Sequence, residues 1–149
     1  MTNESPEIIL KPIGTVRSAI KEPTRERQPD IISEIVIDVD LTESLDNLDE
    51  FSHIIILYWI HKSRRPAPVK VRPRGNPDND LMGVFATRSP SRPNPIGKST
   101  VALLERRGNI LKVQGLDAID GTPVLDIKPY IPGYDSVENP RAPSWTIKE

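Results

Sequence analysis

The sequence contains no cysteine and, among its 149 residues, only two histidines, His53 and His61. Without cysteine there are no disulfide bonds, thiol nucleophiles or thiolate metal sites, and two histidines leave little for a zinc site. We therefore expect no bound metal, while magnesium held by carboxylates alone stays open. No apolar run approaches the roughly 20 residues that cross a bilayer, and the N-terminal stretch MTNESPEIIL is too polar for a signal peptide. These features predict a cytoplasmic protein with no membrane partner.

The glycine signatures of nucleotide-binding domains are also missing. None of the eight glycines forms G-x-G-x-x-G, and there is no G-x-x-x-x-G-K-[ST]. No Ser/His/Asp order typical of hydrolases is recognisable either. His53 heads an apolar segment and is expected at the edge of the core. For His61, at the far end of that segment, a structural and a functional role are equally open.

Charge is strongly segregated along the chain, although the net charge is only -1. Residues 34–50 carry seven carboxylates and no base, whereas residues 61–98 carry nine lysines and arginines against Asp78 and Asp80. A basic segment of this kind predicts a polyanionic partner if the fold gathers the bases on one face. The alternative is a solvated basic loop. The arginines expected to contact RNA phosphates are Arg64, Arg65, Arg72, Arg74 and Arg92.

Hydrophobic periodicity predicts a mainly β protein. Ile35, Ile37, Val39 and Leu41 alternate with polar residues, as in a half-buried strand, and the apolar run 53–60 suits a strand buried on both faces. Further strands are expected at 84–87, 100–106, 110–116 and 122–127. Six or seven short strands predict a small single-domain β-barrel over residues 1–149, distinct from a Rossmann fold.

Other segments interrupt this pattern. Thr42 is expected to cap one short helix, because Leu41, Leu45 and Leu48 fall on one helical face. The proline-rich residues 61–80 are expected to form a loop, and residues 136–149 an irregular C-terminal tail.

The most informative stretch is GVFATRSPSRPNPIGKS, residues 83–99. Its three prolines leave little conformational entropy to lose, so Arg88, Arg92, Asn94 and Lys98 can be held in place before a ligand arrives. Fixed guanidinium groups suit phosphate or carboxylate. The alternative is a rigid connection whose arginines are merely solvated.

A second stretch, LDAIDGTPVLDIKPY, places Asp117, Asp120 and Asp126 around a turn. These carboxylates can accept hydrogen bonds from a ligand, or they can form the turn and its local bonds. The pattern alone favours the turn.

These two stretches, together with IGTVRS at 13–18 and FSHIIILYWIHKS at 51–63, resemble the signature blocks of the TrmO, or TsaA-like, methyltransferase family. The resemblance covers residues 13 to about 135. It implies a β-barrel homodimer that binds S-adenosylmethionine near the dimer interface. It also implies methyl transfer to N6 of threonylcarbamoyladenosine beside the anticodon of tRNA.

By the same resemblance, ten positions are expected to contact the cofactor: Arg27, Gln28, His61, Lys62, Arg88, Lys98, Ile119, Asp120, Gly121 and Thr122. Asp120 and Asp126 are the candidates for a base that removes the N6 proton. The sequence departs from the family where Glu26 precedes Arg27 and Gln28 in place of the usual proline, and it lacks the C-terminal extension of longer members. Two alternatives therefore stay open: methylation of a smaller acceptor, and a non-catalytic module that binds S-adenosylmethionine or RNA.

Overall fold

The computed structural model describes residues 5–147, so the first and last residues of the expected 1–149 domain lie outside it. The strands are β1 Gly14–Arg17, β2 Ile32–Ile37, β3 His53–Trp59, β4 Lys70–Val71, β5 Met82–Gly83, β6 Ile96–Arg107, β7 Ile110–Gln114 and β8 Pro123–Pro129. Six antiparallel strands close a barrel in the order β1-β2-β7-β6-β3-β8, and a separate two-stranded sheet pairs β4 with β5. The mainly β, non-Rossmann barrel expected from the sequence is confirmed, whereas the single-domain division stays a prediction.

Alternate residues of each strand fill the interior of the barrel, as the period of a strand requires. In β3 the inward residues are Ile54, Ile56 and Tyr58, while the outward Ile55 is also buried, at 8% exposure. The apolar run therefore does form a strand that is largely covered on both faces. The barrel core consists of Val16, Ile35, Ile37, Ile54, Ile56, Tyr58, Val101, Leu111, Val113 and Val124.

A ring of hydrogen bonds joins three parts of the barrel around Tyr58. The Tyr58 hydroxyl donates to the carbonyl oxygen of Asp117 at 2.7 Å, so the Ser99 hydroxyl supplies the hydrogen of the 3.0 Å bond between the two hydroxyls. The backbone N–H of Asp117 donates in turn to Ser99 Oγ at 3.4 Å. Burial raises the pKa of Tyr58 above its ordinary value, so its hydroxyl stays protonated at neutral pH.

The expected short helix is present as two 3-10 helices, Val39–Leu45 and Leu48–Glu50. Leu45 is buried, and Leu41 and Leu48 pack against the core, so the predicted apolar face is correct. The prediction that Thr42 caps the helix was wrong. Its hydroxyl instead donates to the Val39 carbonyl oxygen at 2.6 Å from within the helix, because the strand ends at Ile37 and the helix begins earlier than the alternation indicated.

The predicted strand at 84–87 was also wrong. Residues Val84–Ala86 form a 3-10 helix, and the short strand β5 precedes it. Thr87 closes this turn because its backbone N–H and its hydroxyl both donate to the Val84 carbonyl oxygen, at 3.1 and 2.8 Å. None of the helices within residues 5–147 has the length and apolar character needed to cross a membrane.

All three long connections that contain the signature residues leave the barrel at the same end. Neighbouring strands are antiparallel, so the connections after β1, β3 and β7 emerge together. We call residues 18–31, 60–95 and 115–122 the loop end. The opposite end carries residues 38–52, the 108–109 turn and the segment after β8.

Gly97 lies against Tyr58, and a Cβ at this position would overlap the buried Tyr58 ring. Gly97→Ala should lower the free energy of unfolding by about 1–3 kcal/mol through overpacking. Urea denaturation measures the change. Gly83→Ala is the control, because nothing lies within 4 Å of the added Cβ and its backbone φ of -56° suits alanine. Equal stability of Gly97→Ala and the wild type would contradict this packing.

Candidate binding site at the loop end of the barrel

The 119–122 turn is attached along the edge of β1. The Gly121 N–H donates to the Val16 carbonyl oxygen at 2.8 Å. The Val16 N–H donates to the Thr122 carbonyl oxygen at 3.0 Å. Thr122 is buried, and both its N–H and its hydroxyl donate to the Ile119 carbonyl oxygen, at 3.2 and 2.7 Å. The turn is therefore fixed before any ligand binds.

Asp120 ties this turn to the connection after β1. One carboxylate oxygen accepts the backbone N–H of Ser18 at 2.9 Å, and the other lies 3.0 Å from the ammonium group of Lys21. The Ser18 hydrogen bond, followed by the hydrogen bond from Lys21, holds the pKa of Asp120 below its ordinary value of 3.8. Asp120 is therefore a weak base that braces the site, and its contact with a cofactor stays a prediction.

His61 and Lys62 bring the connection after β3 to the same place. The Lys62 ammonium lies 3.2 Å from the Glu22 carboxylate and 3.5 Å from the Lys21 carbonyl oxygen. His61 Nε2 lies 4.0 Å from the position that a Cβ on Gly121 would occupy. The structure thus gathers His61, Lys62, Asp120 and Gly121 around Lys21.

Ser18, Lys21 and Glu22 were not predicted from the sequence as site residues. They meet Asp120 and Lys62 only because β1 pairs with β8 when the barrel closes. No local pattern in the chain relates residues about a hundred positions apart, so the only signal was the position of Ser18 inside the IGTVRS block.

Arg27 and Gln28 lie exposed in the 18–31 connection. Within the part of the chain that the structure describes, no side-chain hydrogen bond or ion pair joins them to the other predicted cofactor residues. The neighbouring Arg25 packs its guanidinium against Gly75. This contact brings the connection alongside the basic 61–80 segment, so both face the loop end.

Arg92 holds the proline-rich block, residues 83–99, in its conformation. Arg92 is half-buried and donates to the carbonyl oxygens of Thr87 and Ser89, at 3.0 and 3.1 Å. Pro95 is buried, and its carbonyl oxygen accepts the N–H of Ile60 at 2.7 Å. Arg88 is exposed, and no hydrogen bond or ion pair from residues 5–147 engages its side chain.

The remaining basic side chains of the loop end are partly used in shaping it. Arg65 donates to the Pro93 carbonyl oxygen at 3.2 Å and lies 5.8 Å from the Trp59 ring centre. Arg72 donates to Asn79 at 2.6 Å, and Arg74 donates to Thr146 at 3.3 Å. Each guanidinium keeps further donors, since arginine has five. For Arg64 the described residues provide no such partner.

Lys98 and Asp126 form a separate pair of positions on the outer wall of the barrel. Both lie opposite Leu57 in the sheet, one on β6 and one on β8, so about 10 Å separates their strands. The Asp126 carboxylate lies 2.9 Å from the Lys128 ammonium and accepts the N–H of Ile127 at 2.9 Å. The structure therefore does not bring Asp126 together with Asp120.

A depression of about 240 Å³ lies at the opposite end of the barrel and contains no predicted site residue. It is lined by Ser44, Leu45, Asp46, Asn47, Leu48, Phe51, Ile127 and Pro129. Residues 5–147 contain no group of three or more histidine or carboxylate side chains placed to hold a metal ion.

Together, the fold and the loop end define a class of small closed β-barrels whose binding site is built from inter-strand connections rather than from a Rossmann glycine turn. A family model described as the tRNA-methyltransferase O N-terminal domain matches residues 16–136. The chain belongs to this family.

Relatives and solved structures agree with this assignment. A probable S-adenosyl-L-methionine-binding protein of Pyrococcus abyssi is 43% identical, over 95% of this chain and 77% of that protein. The tRNA (adenine(37)-N6)-methyltransferase of Escherichia coli is 40% identical, over 87% of this chain and 60% of that enzyme. A crystal structure of TrmO from P. aeruginosa superposes with a TM-score of 0.79 at 32% identity, over 97% of this chain and 64% of that one. The chain thus spans less than two thirds of the length of the two bacterial proteins.

The contribution of Asp120 to the stability of the protein should depend on pH. Because its pKa is lowered by folding, its contribution to stability is full above its ordinary value of 3.8 and is lost as the pH falls through the lower folded value. Asp120→Asn should therefore be less stable than the wild type at pH 7 and at pH 5, and the difference should shrink below pH 3.8.

Denaturation midpoints across this pH range measure the effect. The control is Asp78→Asn, since the Asp78 carboxylate has no hydrogen bond or ion pair among residues 5–147. A stability difference for Asp120→Asn that stayed constant down to pH 2 would show that the ionised Asp120 carboxylate is not stabilised by Ser18 and Lys21.

Proposed function

We propose that this chain is an S-adenosylmethionine-dependent tRNA methyltransferase that methylates N6 of threonylcarbamoyladenosine beside the anticodon. The main support is the family match over residues 16–136, which includes every connection of the loop end. The relatives include a probable S-adenosyl-L-methionine-binding protein and a tRNA (adenine(37)-N6)-methyltransferase. The threonylcarbamoyl group is the finer part of the proposal and comes from the signature blocks.

The residues of the loop end fit the cofactor chemically. Arg88 is exposed and keeps its guanidinium donors for a carboxylate such as that of the methionine moiety. Gly121, at a φ of 83°, leaves the backbone of the turn open to close approach by an adenosine. Lys62 and the 119–122 turn are held by contacts with the 18–31 connection. His61 lies beside Gly121, whereas Lys98 stands apart on the outer wall of the barrel.

The proposed reaction needs little more than orientation. When bound, S-adenosylmethionine supplies a methyl group whose bond to sulfur breaks as its bond to N6 forms, which leaves a neutral thioether while N6 loses its proton. Holding the acceptor in line with the methyl group contributes on the order of 7–11 kcal/mol. The chain must therefore mainly fix two ligands relative to each other.

The proposed reaction also requires an acceptor for the N6 proton. Both oxygens of Asp120 are engaged, and its lowered pKa makes it a poor base. Asp126 has only an exposed ion pair with Lys128, which contributes about 0–1 kcal/mol, but it lies on the outer wall of the barrel, apart from the 119–122 turn. A non-catalytic binding module is the second candidate function, since neither carboxylate is free in this structure.

The basic side chains of the loop end provide the support for tRNA. Arg64, Arg65, Arg72 and Arg74 are all exposed there, and they can follow the phosphates of an anticodon loop. Arg92, the fifth predicted arginine, is half-buried and donates to the carbonyl oxygens of Thr87 and Ser89. Its splayed bases spare the enzyme from opening a duplex. A tRNA substrate also favours the expected cytoplasmic location, and the charge of this end favours RNA over a smaller acceptor.

The expected homodimer is supported by an N-terminal arm, residues 5–12, that has no regular structure. Its consecutive side chains Ile8, Ile9 and Leu10 are 81, 77 and 52% exposed. Covering each of them would contribute about 1.5–3 kcal/mol. A second copy of the chain is the proposed cover. The arm leads into the start of β1, at the end of the barrel opposite the loop end, so its exposure supports a dimer but not a cofactor site near this interface.

Methyl transfer to tRNA tests the proposed function. The wild type should bind S-adenosylmethionine with a micromolar constant, roughly -8 kcal/mol by calorimetry, and should convert threonylcarbamoyladenosine in tRNA to its methylated form. Arg88→Lys should lose about as much cofactor affinity as Arg88→Ala, because lysine keeps the charge but loses the fork of donors.

Arg107→Lys is the matched control, since Arg107 lies exposed at the opposite end of the barrel and pairs with Glu34. A folded wild type that failed to bind millimolar cofactor would overturn the proposed function. Normal binding and activity in Arg88→Ala would overturn only the role of Arg88. Binding without turnover would favour the non-catalytic module.

The dimer is tested by light scattering, which should give twice the chain mass of 16.7 kDa. Ile8→Asp combined with Leu10→Asp should shift the protein to the monomer, because charge at a buried contact is strongly unfavourable. Val69→Asp is the control, with a side chain 82% exposed in the connection after β3, at the other end of the barrel from the arm. A dimer that survives the double substitution would place the interface elsewhere.

A further inference from the structure

Phe85 is an aromatic side chain presented to solvent by a rigid turn. It is 78% exposed, although the neighbouring Val84 is buried at 4% and Thr87 at 5%. The 3-10 turn that carries it is closed by the two hydrogen bonds from Thr87 to the Val84 carbonyl oxygen. The ring therefore has little backbone freedom to lose when a ligand covers it.

The ring contacts a cation, while the exposed Val69 lies in the segment that bonds to Val84. The guanidinium of Arg92 lies 6.0 Å from the ring centre and is itself fixed by its bonds to the carbonyl oxygens of Thr87 and Ser89. Arg88, three residues along, is exposed. One side of Phe85 thus carries a held positive charge, while most of the ring stays open to solvent.

This arrangement differs from the N-terminal arm, where large apolar side chains stand together as a protein contact requires. A single exposed ring beside arginines matches the chemistry of single-stranded nucleic acid, whose bases stack on aromatic faces while its phosphates meet basic groups. Charge complementarity at the loop end therefore favours a nucleobase over an apolar protein partner.

We propose that Phe85, backed by Arg92, is a stacking platform for an unpaired base of the RNA substrate. The proposal rests on the proposed function, because it specifies how the same end of the barrel holds RNA. It also separates two tasks within the signature block: Arg88 serves the anionic groups, whereas Phe85 positions a base.

Binding of a fluorescently labelled single-stranded RNA with the sequence of an anticodon loop tests the platform. Phe85→Leu, which stays apolar but has no π face, should weaken binding about 5- to 150-fold, the equivalent of roughly 1–3 kcal/mol for one stacked base. Phe85→Trp should bind within about threefold of the wild type, since stacking is retained. Tyr134→Leu is the matched control, because Tyr134 is 86% exposed and follows β8 at the opposite end.

Two further measurements identify what the ring contacts. The slope of affinity against salt concentration should be unchanged in Phe85→Leu, whereas loss of a phosphate contact lowers it by about one unit. An RNA with abasic positions should bind wild type and Phe85→Leu equally, because it has phosphates but no base to stack.

The results of these experiments test the Phe85 stacking platform independently of the proposed methyltransferase function. If wild type binds RNA and Phe85→Leu binds it equally well, the platform is wrong and the methyltransferase proposal stands. If Phe85→Leu halves the mass seen by light scattering, the ring belongs to a subunit interface, and the platform is again wrong. If folded wild type binds S-adenosylmethionine but no RNA, the tRNA substrate fails together with the platform.

Discussion

The seam between β1 and β8 is the constraint on which the rest of the molecule depends. Only Gly14 with Val124 and Thr15 with Pro123 pair as strand residues across it. The seam continues beyond the strands through hydrogen bonds of Val16 with Thr122 and Gly121. Closure removes the open edges that an antiparallel sheet would otherwise present. The same hydrogen bonds fix the 119–122 turn, so closure of the barrel also positions this part of the candidate site.

Acidic and basic residues are distributed unevenly between the two ends of the barrel. The acid-rich residues 38–50 lie at one end, and the bases of residues 61–92 lie at the other. Some carboxylates are paired locally, as Asp46 is with Arg106 at 2.9 Å. The remaining separation favours approach of a polyanion by the loop end, since fields of this kind steer charged ligands. The binding geometry and the long-range field therefore favour the same end of the molecule.

The sequence predicted the barrel because its signals are local. Alternation in β2 and the apolar run of β3 specify strands within single windows of chain. The prediction of a strand at 84–87 was wrong because the Thr87 hydroxyl donates to the Val84 carbonyl oxygen, which favours a 3-10 turn over an extended chain. The candidate site residues were named from the signature blocks, but the contacts they make in the fold were not predicted. Lys21 meets Asp120, and Arg25 meets Gly75, only after the strands have paired.

The most direct test of the account is a crystal structure with S-adenosylhomocysteine bound. The account predicts the ligand at the loop end, in contact with the Ile119–Thr122 turn and His61, with its carboxylate on Arg88. The brace between Asp120 and Lys21 should be unchanged from its present 3.0 Å. A ligand bound instead in the depression beside Leu45 and Phe51, at the opposite end, would contradict the account.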